Sequence, residues 1–303
     1  MTSRRHVQIY QIDAFTQQLF KGNPAGVVLG AEVLSDQEMQ LIARELNHSD
    51  SAFVLPANGS DHDLRVRFFT PHREVSFIGH ATVAAHIARL DAGLAGPGHY
   101  RQQTRQSIYD VNVGGTPQQC EVSVGIPAPD LSAPINDQLR AQMLDIFGID
   151  SNALDPKCPL VITRRNTTRM LIGLRSVEQL NAIDPDLDAL KKLTPHIGAD
   201  GYFLFVRDAH GANTSESRLF SPALGVDEDP VSGNAHGMLA AYLVAHGLLT
   251  PVNGTVELTG HQGRASERDG VVNVKLQMQG KQITHIRIGG TGKIVLKTLL
   301  HLD

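Results

Sequence analysis

Short segments from the first half of this 303-residue chain recur in its second half, in the same order. Each segment reads as a strand or as a helix start, and a separation of 150 to 154 positions is too long for a solenoid repeat. We therefore predict two pseudo-symmetric domains. Chance resemblance between short segments is the alternative, and three matches in one order argue against it. The pairs are 50–55 with 200–205, 67–71 with 218–222, and 79–81 with 233–235.

The length of the chain agrees with two domains, because a single domain usually contains about 100–200 residues. Prolines at 127, 129 and 134 mark the natural boundary between the two halves. We predict an N-terminal half over residues 1–127 and a C-terminal half over residues 128–303. The sequence leaves open whether the last strand returns to the N-terminal half.

Residue patterns predict a strand-rich first half with one clearly marked surface helix. Ser35 and Glu38 have the spacing of a capping box, and the apolar residues that follow lie on one helical face until Asn47. Alternating or continuous apolar residues between turn signals predict the neighbouring strands. Those strands cover residues 7–13, 27–29, 52–55 and 64–69.

Two further helices contain small and apolar residues on nearly every face. The first begins at Gly79 and ends near Gly93, and the second begins at Gly233 and ends before Gly247. A helix that is apolar all round is buried. We therefore predict one buried helix in each domain, opening at a glycine.

The C-terminal region predicts more sheet. Strands are expected at 255–258, 272–278, 285–288 and 294–296, with a turn at the glycine-rich residues 289–292. Few long amphipathic helices alternate with these strands, which favours antiparallel sheet over a doubly wound parallel sheet. The expected fold class is α+β.

Composition narrows the function by exclusion. The formal net charge is -4 and no basic stripe runs along the chain, so we expect no nucleic-acid partner. Apolar runs are much shorter than the roughly 20 residues of a membrane span, and no hydrophobic signal region follows the polar start. We therefore expect a cytoplasmic protein without a membrane partner. Cys120 and Cys158 lie outside any C-x-x-C motif, which argues against a disulfide framework and a thiolate metal site.

Familiar catalytic motifs are absent from the sequence. The segment ending at Lys293 resembles a phosphate loop, but Arg287 replaces its first glycine and Ile294 follows the lysine. No histidine pair has the spacing of a zinc protease, and no serine lies in a G-x-S-x-G elbow. We expect neither a metal nor a cofactor.

Residues that can move protons cluster at the two predicted helix starts. His80 follows Gly79, Asp229 precedes Gly233, and Asp50 lies in the connection before a strand. The free N–H groups of two helix starts suit a carboxylate or a developing enolate, so a small acid is the expected ligand. Each carboxylate has a plainer alternative, because Asp50 can cap its own loop and Asp229 can complement a helix dipole.

Several separated motifs run from the first strand to the last. They are 12–15 (Ile-Asp-Ala-Phe), 22–24 (Gly-Asn-Pro), 43–47 (Ala-Arg-Glu-Leu-Asn), 69–71 (Phe-Thr-Pro), 79–80 (Gly-His), and 220–222 (Phe-Ser-Pro) followed by Glu-Asp at 228–229. In this order they resemble the PhzF family of phenazine-biosynthesis proteins, and especially its bacterial isomerases of unassigned substrate. The resemblance implies a homodimer with a diaminopimelate-epimerase-like fold. In that fold two similar domains, each a β-barrel-like and mostly antiparallel sheet wrapped round a central helix, hold the active site between them.

The resemblance also implies the site residues. In the family's characterised member a Glu shuttles a proton within a dihydro-hydroxyanthranilate substrate, aided by a His, an Asp and a Ser. By position these residues fall on Asp50, His80, Asp229 and Asn234. This chain therefore carries Asp in place of the shuttling Glu and Asn in place of the Ser. The shorter Asp argues against phenazine synthesis itself, because a misplacement of about 1 Å can cost roughly a hundredfold in rate.

We expect a cofactor-independent isomerase that moves a proton within a small carboxylic acid. Asp50 is the expected base and acid, and His80 and Asp229 are the expected relay and orienting groups. The expected substrate-binding residues are Asn234 and the helix-start residues Gly79, Ala81, Ser232 and Gly233. Arg264, in the segment Gln-Gly-Arg at 262–264, is a candidate for an additional cation.

Two other functions compete with this one. A two-thiol racemase of the same broad fold carries Cys ahead of the glycine at both helix starts, and this chain has Ile78 and Ser232 there. The second competitor is a non-catalytic protein that binds or senses a small acid. The Asp at position 50, where the family has Glu, favours this non-catalytic alternative. The retention of both His80 and Asp229 argues against it.

Overall fold

The computed structural model describes residues 5–117, 119–165 and 167–302, and the chain divides into two compact units. The first unit comprises Met1–Gly125 together with Gly289–Asp303, and the second comprises Ile126–Ile288. The last strand, Gln282–Leu302, leads the chain from the second unit back into the first. Each unit is described separately below.

The elements of residues 5–126 are mostly strands. They are β1 (Arg5–Ala14), β2 (Asn23–Leu29), α1 (Asp36–Leu46), β3 (Ser51–Pro56), β4 (Leu64–Phe69), β5 (Glu74–Val75), α2 (Gly79–Asp91), β6 (Gly98–Gln103), β7 (Ile108–Thr116) and β8 (Gln119–Ile126).

The elements of residues 127–302 include more helix. They are β9 (Asp130–Leu131), α3 (Asp137–Ile146), β10 (Val161–Arg164), β11 (Thr168–Gly173), α4 (Val177–Ala182), α5 (Leu187–Ile197), β12 (Gly201–Arg207), β13 (Thr214–Ser221), β14 (Val226–Asp229), α6 (Gly233–Ala245), β15 (Thr255–Gln262), β16 (Gly270–Gln279) and β17 (Gln282–Leu302).

Eight strands of the first unit close into a barrel around α2. In ring order they are β1, β2, β3, β4, β6, β7, β8 and β17, and β17 closes the ring by pairing with both β8 and β1. The pairs β2–β3 and β4–β6 are parallel, and the other register pairs of this unit are antiparallel. All residues of α2 from Gly79 to Leu90 are buried, and the helix packs against β1, β2 and β3. The prediction of a buried central helix is confirmed.

The second unit repeats this topology. The pair β11–β12 is parallel, as β2–β3 is, and the pair β13–β15 is parallel, as β4–β6 is. Antiparallel pairs join β10 to β11, β12 to β13 and β15 to β16. Helix α6 occupies the place of α2, because it follows β14 as α2 follows β5, and it packs against β15 and β16. The predicted α+β class, with two halves of mostly antiparallel sheet, is confirmed.

The surface helix α1 begins and ends where the sequence predicts. The Ser35 hydroxyl accepts a hydrogen bond from the Glu38 N–H, and the Glu38 carboxylate accepts one from the Ser35 N–H at 2.7 Å. This is a complete capping box. The helix ends at Asn47, whose φ of 52° is left-handed and stops further helical hydrogen bonding.

Three helices of the second unit are not predicted from the sequence. Helix α4 has only six residues, α5 contains Pro195, and both patterns are too short or too interrupted for a periodicity argument. Side chains of Asn136, Ser176 and Asp186 cap α3, α4 and α5. In the part of the chain that the structure describes, no helix is long and apolar enough to cross a membrane.

The predicted turn at residues 289–292 is wrong, because these glycines lie inside the continuous strand β17. A Cβ added to Gly289 would lie 2.5 Å from the Val122 carbonyl oxygen and 2.7 Å from the Ser123 Cβ. At Gly292 a Cβ would lie 2.5 Å from the Ile87 side chain of α2. Glycine is required here because the strand packs closely against its neighbours. The local sequence does not show whether a glycine cluster serves close packing or a turn.

Replacement of Gly289 by Ala tests this packing. We expect Gly289→Ala to lower the free energy of unfolding by about 1–3 kcal/mol, because backbone atoms of β8 must move to admit the methyl group. Gly114 on β7 is the matched control, since its nearest neighbour would lie 3.9 Å from an added Cβ. Gly114→Ala should change the stability by less than about 0.5 kcal/mol in urea denaturation. Equal effects of the two substitutions would contradict the packing argument.

Candidate functional site

The first group of candidate residues lies at the start of α2, where no side chain caps the helix. The N-cap residue Ile78 has no oxygen in its side chain, and the first helical hydrogen bond runs from the Thr82 N–H to the Ile78 carbonyl. The N–H groups of Gly79–Ala81 are therefore left without a capping side chain. Such a helix start carries a partial positive charge and attracts an anionic group.

Asp50 and His80 lie together at this helix start. Asp50 directly precedes β3, and its carbonyl accepts a hydrogen bond of 3.2 Å from the Gly26 N–H of β2. Because α2 packs on both strands, the Asp50 Oδ2 atom comes within 3.7 Å of His80 Nε2. This distance is longer than a hydrogen bond, so the two side chains lie close together without bonding to each other. The structure thus brings together two of the residues predicted from the sequence.

His80 is held in its neutral form. Burial lowers the pKa of the His80 imidazole to about 3, and His48 adds a smaller effect in the same direction. The Nε2 atom is buried and has no hydrogen-bond partner among the described residues. A buried polar atom without a partner costs about 1–3 kcal/mol, and such a cost is often found where a ligand completes a site. A neutral imidazole at this place can donate or accept a hydrogen bond without adding a fixed charge.

The second group of candidate residues lies at the start of α6. Ser232 is the N-cap residue, and its hydroxyl accepts a hydrogen bond of 3.4 Å from the Ala235 N–H. Gly233 is buried, and Asn234 is partly exposed. This helix start is partly capped, unlike that of α2. It still presents the N–H groups of Gly233 and Asn234 without a side-chain cap.

Gln262 links the backbone of Asp229 to the start of α6 through two hydrogen bonds. Its amide nitrogen donates to the Asp229 carbonyl at 2.6 Å, and its amide oxygen accepts from the Ser232 N–H at 3.0 Å. The Gln262 residue is only 2% exposed. The sequence singled out the segment 262–264 for a cation at Arg264, whereas Gln262 is the residue that contacts the candidate site. Arg264 is half-exposed and lies 3.7 Å from the Glu216 carboxylate.

The neighbouring acids Glu228 and Asp229 have different roles. The Glu228 carboxylate receives two hydrogen bonds from Arg218, at 2.9 and 2.8 Å. The first unit repeats this pair, because Arg67 donates two hydrogen bonds to Glu74. Both pairs join a long strand to the short strand before the central helix, which is a structural role. Asp229 is the last residue of β14 and precedes the start of α6.

Two other features of the described residues offer no competing site. A cavity of about 340 Å³ in the second unit is lined by Arg207, which binds Asp155 at 2.8 Å and Asp208 at 2.9 Å. Arg175 also lines the cavity, so two arginines face two aspartates and no net charge is left for a charged ligand. No group of three or more His, Cys, Asp or Glu side chains in the described ranges is placed to hold a metal ion.

The two cysteines do not lie at the helix starts. Both are buried and unbridged, and burial raises the pKa of Cys120 to about 11 and that of Cys158 to about 12. A thiol with such a pKa is rarely ionised near neutral pH and is a poor base. The structure therefore gives no support to a two-thiol racemase.

Known proteins share the sequence pattern of this chain. The family model PhzC-PhzF, described as "Phenazine biosynthesis-like protein", matches residues 12–298. The uncharacterized isomerase YddE of Escherichia coli K12 is 37% identical over 288 residues, which cover 95% of this chain and 96% of YddE. The trans-2,3-dihydro-3-hydroxyanthranilate isomerase of Pseudomonas fluorescens is 33% identical over 282 residues, which cover 93% of this chain and 94% of that enzyme.

A solved structure has a very similar fold. The crystal structure of the Bacillus anthracis phenazine biosynthesis protein, PhzF family, superimposes with a TM-score of 0.88. The match covers 98% of this chain and 100% of that chain, with 24% sequence identity. This structural similarity confirms the predicted fold. The evidence on activity comes from the two sequence relatives, which are both named isomerases.

The low pKa of His80 makes stability depend on pH. Between pH 6.5 and about 3 the unfolded chain binds a proton at this residue that the folded chain excludes, so acidification in this range weakens folding. His80→Gln removes this contribution, and the free energy of unfolding should then fall less steeply with decreasing pH. The expected difference in slope is up to about 1.4 kcal/mol per pH unit between pH 6 and 4.

Urea denaturation at several pH values measures this slope, with both proteins compared first at pH 7.5. An identical slope for the wild type and His80→Gln would show that the imidazole is not held neutral in the folded protein.

Proposed function

This chain belongs to the PhzC-PhzF family and is an isomerase, and from this premise we propose that it moves a proton within a small carboxylic acid by acid–base chemistry of its own side chains, without a bound cofactor. The family membership covers nearly the whole chain, and relatives over almost their full length are named isomerases. These relatives argue against a non-catalytic binding protein.

One observation carries the proposal. The Asp50 carboxylate lies 3.7 Å from the neutral His80 imidazole, at a helix start whose N–H groups have no side-chain cap. A base, a neutral hydrogen-bonding ring and an anion-binding helix start are parts from which proton transfer within an acid can be built. Both residues are buried, which keeps bulk water away from the transferred proton.

The proposed reaction is an allylic proton shift. The Asp50 carboxylate removes a proton from a carbon of the substrate, and the electron pair of the broken C–H bond forms a new double bond to the adjacent carbon. The electron pair of the original double bond shifts to the carbon at its far end, and that carbon takes the same proton back from Asp50. No atom or electron is gained or lost. The N–H groups of the helix start stabilise the negative charge that develops on the substrate. His80 orients the acid through Nε2 and is not required to carry a charge.

We propose a substrate-binding role for the second group of residues as well. Asp229 is proposed to orient the acid, and Asn234 to donate hydrogen bonds to its carboxylate, together with the N–H groups of Gly233 and Asn234. The repeated topology supports this assignment, because Asn234 occupies in α6 the position that His80 occupies in α2.

The proposed substrate is a small, cyclic and unsaturated carboxylic acid. The relative from Pseudomonas fluorescens is an isomerase of trans-2,3-dihydro-3-hydroxyanthranilate, which is a molecule of this class. Asp50 has one methylene fewer than a Glu in the same place, so its carboxylate reaches less far from the backbone. We therefore propose a related acid whose reacting carbon lies closer to the Asp50 backbone.

Asp50→Asn tests the assignment of the base. In D₂O the wild-type protein should introduce deuterium into a reactive acid, with trans-2,3-dihydro-3-hydroxyanthranilate as the first probe and a panel of cyclic unsaturated acids after it. The Asn variant should exchange about 10²- to 10⁴-fold more slowly, which is the usual contribution of a general base. Mass spectrometry of the recovered acid measures the exchange.

Asp137→Asn is the matched control, because Asp137 is an exposed carboxylate in the first turn of α3. This control should exchange the acid at the wild-type rate. Exchange by Asp50→Asn at the rate of the control would remove Asp50 from the mechanism.

A further inference from the structure

A chain of hydrogen bonds runs through the interior of the first unit and ends at the start of α2. Arg89 Nη1 lies 3.2 Å from His86 Nδ1, and His86 Nε2 lies 3.0 Å from the Gln102 amide oxygen. The Gln102 amide nitrogen donates to the Thr82 hydroxyl at 3.3 Å, and this hydroxyl donates to the Ile78 carbonyl at 2.9 Å. The three middle residues are fully buried, and Arg89 is only 8% exposed. Inside a barrel such polar groups are costly unless they are paired, and here they pair with one another.

The two ends of this chain fix the direction of its hydrogen bonds. An arginine can only donate, so His86 accepts at Nδ1 and, as a neutral ring, carries its proton on Nε2. Burial lowers the pKa of His86 to about 3, and the charge of Arg89 adds to this effect, which keeps the ring neutral. At the other end the Ile78 carbonyl can only accept, so the Thr82 hydroxyl must donate to it. The chain therefore has a single arrangement of donors and acceptors.

The Ile78 carbonyl belongs to the peptide that opens α2. It accepts a hydrogen bond of 2.9 Å from the Thr82 hydroxyl and one of 3.0 Å from the Thr82 N–H. This peptide is trans and planar, so its own N–H, which is that of Gly79, points the opposite way, out of the helix start. Two hydrogen bonds to the carbonyl fix the plane of the peptide and polarise it, which strengthens the N–H as a donor. The direction of the Gly79 N–H thus depends on Thr82.

The start of α6 repeats this contact with a different side chain. His236 is the fourth residue of α6, as Thr82 is of α2, and its Nδ1 atom lies 2.8 Å from the Ser232 carbonyl. A carbonyl only accepts, so Nδ1 donates. His236 is fully buried, and its Nε2 atom lies 3.0 Å from the hydroxyl of Ser217 on β13. Both units therefore hold the carbonyl of the N-cap residue with a buried side chain that has a polar partner of its own.

We propose that Thr82 is the positioning residue of the Gly79 N–H and that Gln102 holds Thr82 in place, so that the start of α2 is oriented in advance for the negative charge that develops on the substrate. His236 has the same role for the Gly233 N–H at the start of α6. These side chains do not themselves touch the substrate. The inference rests on the proposed function, because that function gives the helix-start N–H groups their task. A donor that is already oriented does not have to turn toward the charge as it forms.

Thr82→Val tests the role of the hydroxyl. Val keeps the shape of the side chain and removes the hydrogen bond to the Ile78 carbonyl. We expect kcat for deuterium exchange into a reactive acid to fall roughly tenfold, which is less than the ~10²- to 10³-fold lost when a donor is removed altogether. KM should stay within about twofold, because the start of α6 is proposed to bind the carboxylate of the acid.

Thr82→Ser separates the hydroxyl from packing. Ser keeps the hydroxyl and lacks the methyl group, whereas Val keeps the methyl group and lacks the hydroxyl. Most of kcat should therefore remain in Thr82→Ser, and a loss due to packing would show the opposite order. An unchanged kcat in Thr82→Val, or a lower kcat in Thr82→Ser than in Thr82→Val, would overturn the proposal.

A double-mutant cycle tests whether Gln102 acts through Thr82. Gln102→Met keeps the length of the side chain and removes both hydrogen bonds of the amide, and it should lower kcat about threefold to tenfold. In the Thr82→Val background the same substitution should lower kcat by less than about twofold, because the path to the Ile78 carbonyl is already broken. Gln103→Met is the matched control: it changes the next residue of β6, which is partly exposed and faces the other side of the strand, and it should leave kcat unchanged. Equal losses from Gln102→Met in the two backgrounds would overturn the proposal.

A structural measurement separates this inference from the proposed function. If the wild-type protein exchanges no acid of the panel, the proposed function fails, and the residual dipolar coupling of the Gly79 N–H decides the positioning role, because it reports the direction of that bond. We expect this coupling to differ between the wild type and Thr82→Val, while the couplings of the later residues of α2 stay the same. Gln102→Met, which leaves the hydroxyl in place but unsupported, should change the same coupling by a smaller amount. A Gly79 coupling that both substitutions leave unchanged would overturn the inference.

Discussion

The burial of a whole helix inside a strand barrel is the constraint on which the rest of this structure depends. A helix start always presents N–H groups that have no partner within the helix. At the surface, water or a capping side chain satisfies them, as Ser35 does for α1. Helix α2 is buried from Gly79 to Leu90, and Ile78 offers no cap. Its first N–H groups and the nearby His80 Nε2 therefore form a polar site within an apolar unit. Such a site suits a small anion.

The duplication gives both units a buried central helix, but the acidic side chains near the helix start differ between the two units. The first unit keeps a carboxylate at Asp50 and has Val75 where the second unit has Asp229. The second unit holds its own sequence counterpart of Asp50, Asp200, in two hydrogen bonds to Thr168. In the proposed function, the first unit provides the reactive acid and the second unit provides the orienting acid. An Arg–Glu pair joins the corresponding two strands in both units.

Much of the fold follows from local sequence patterns. The buried helices and the capping box are determined by residue types within a few positions, and their predicted bounds agree with the structure. The strand β17 shows the limit of this reasoning. A glycine cluster indicates a turn when only its neighbours in sequence are considered, and Gly289 is instead required by contact with β8, which lies more than 160 positions earlier in the chain.

The candidate site shows the same limit. Residue type and position are enough to identify Asp50 and His80, and the family resemblance is needed to weigh Asp50 against a simple loop cap. The contacts of Gln262 cannot be assigned from the sequence, because they depend on which strands pair and in which register.

The central claim is that a neutral His80 stands beside Asp50 and takes part in binding an acid. The most direct measurement is the ¹⁵N NMR spectrum of the histidine rings at pH 6, recorded with and without a reactive acid, with His80→Gln identifying the resonances of His80. The account predicts a neutral ring in the free protein and a changed Nε2 shift when the acid binds. A protonated His80 ring at pH 6, or an Nε2 resonance that the acid leaves unchanged, would contradict it.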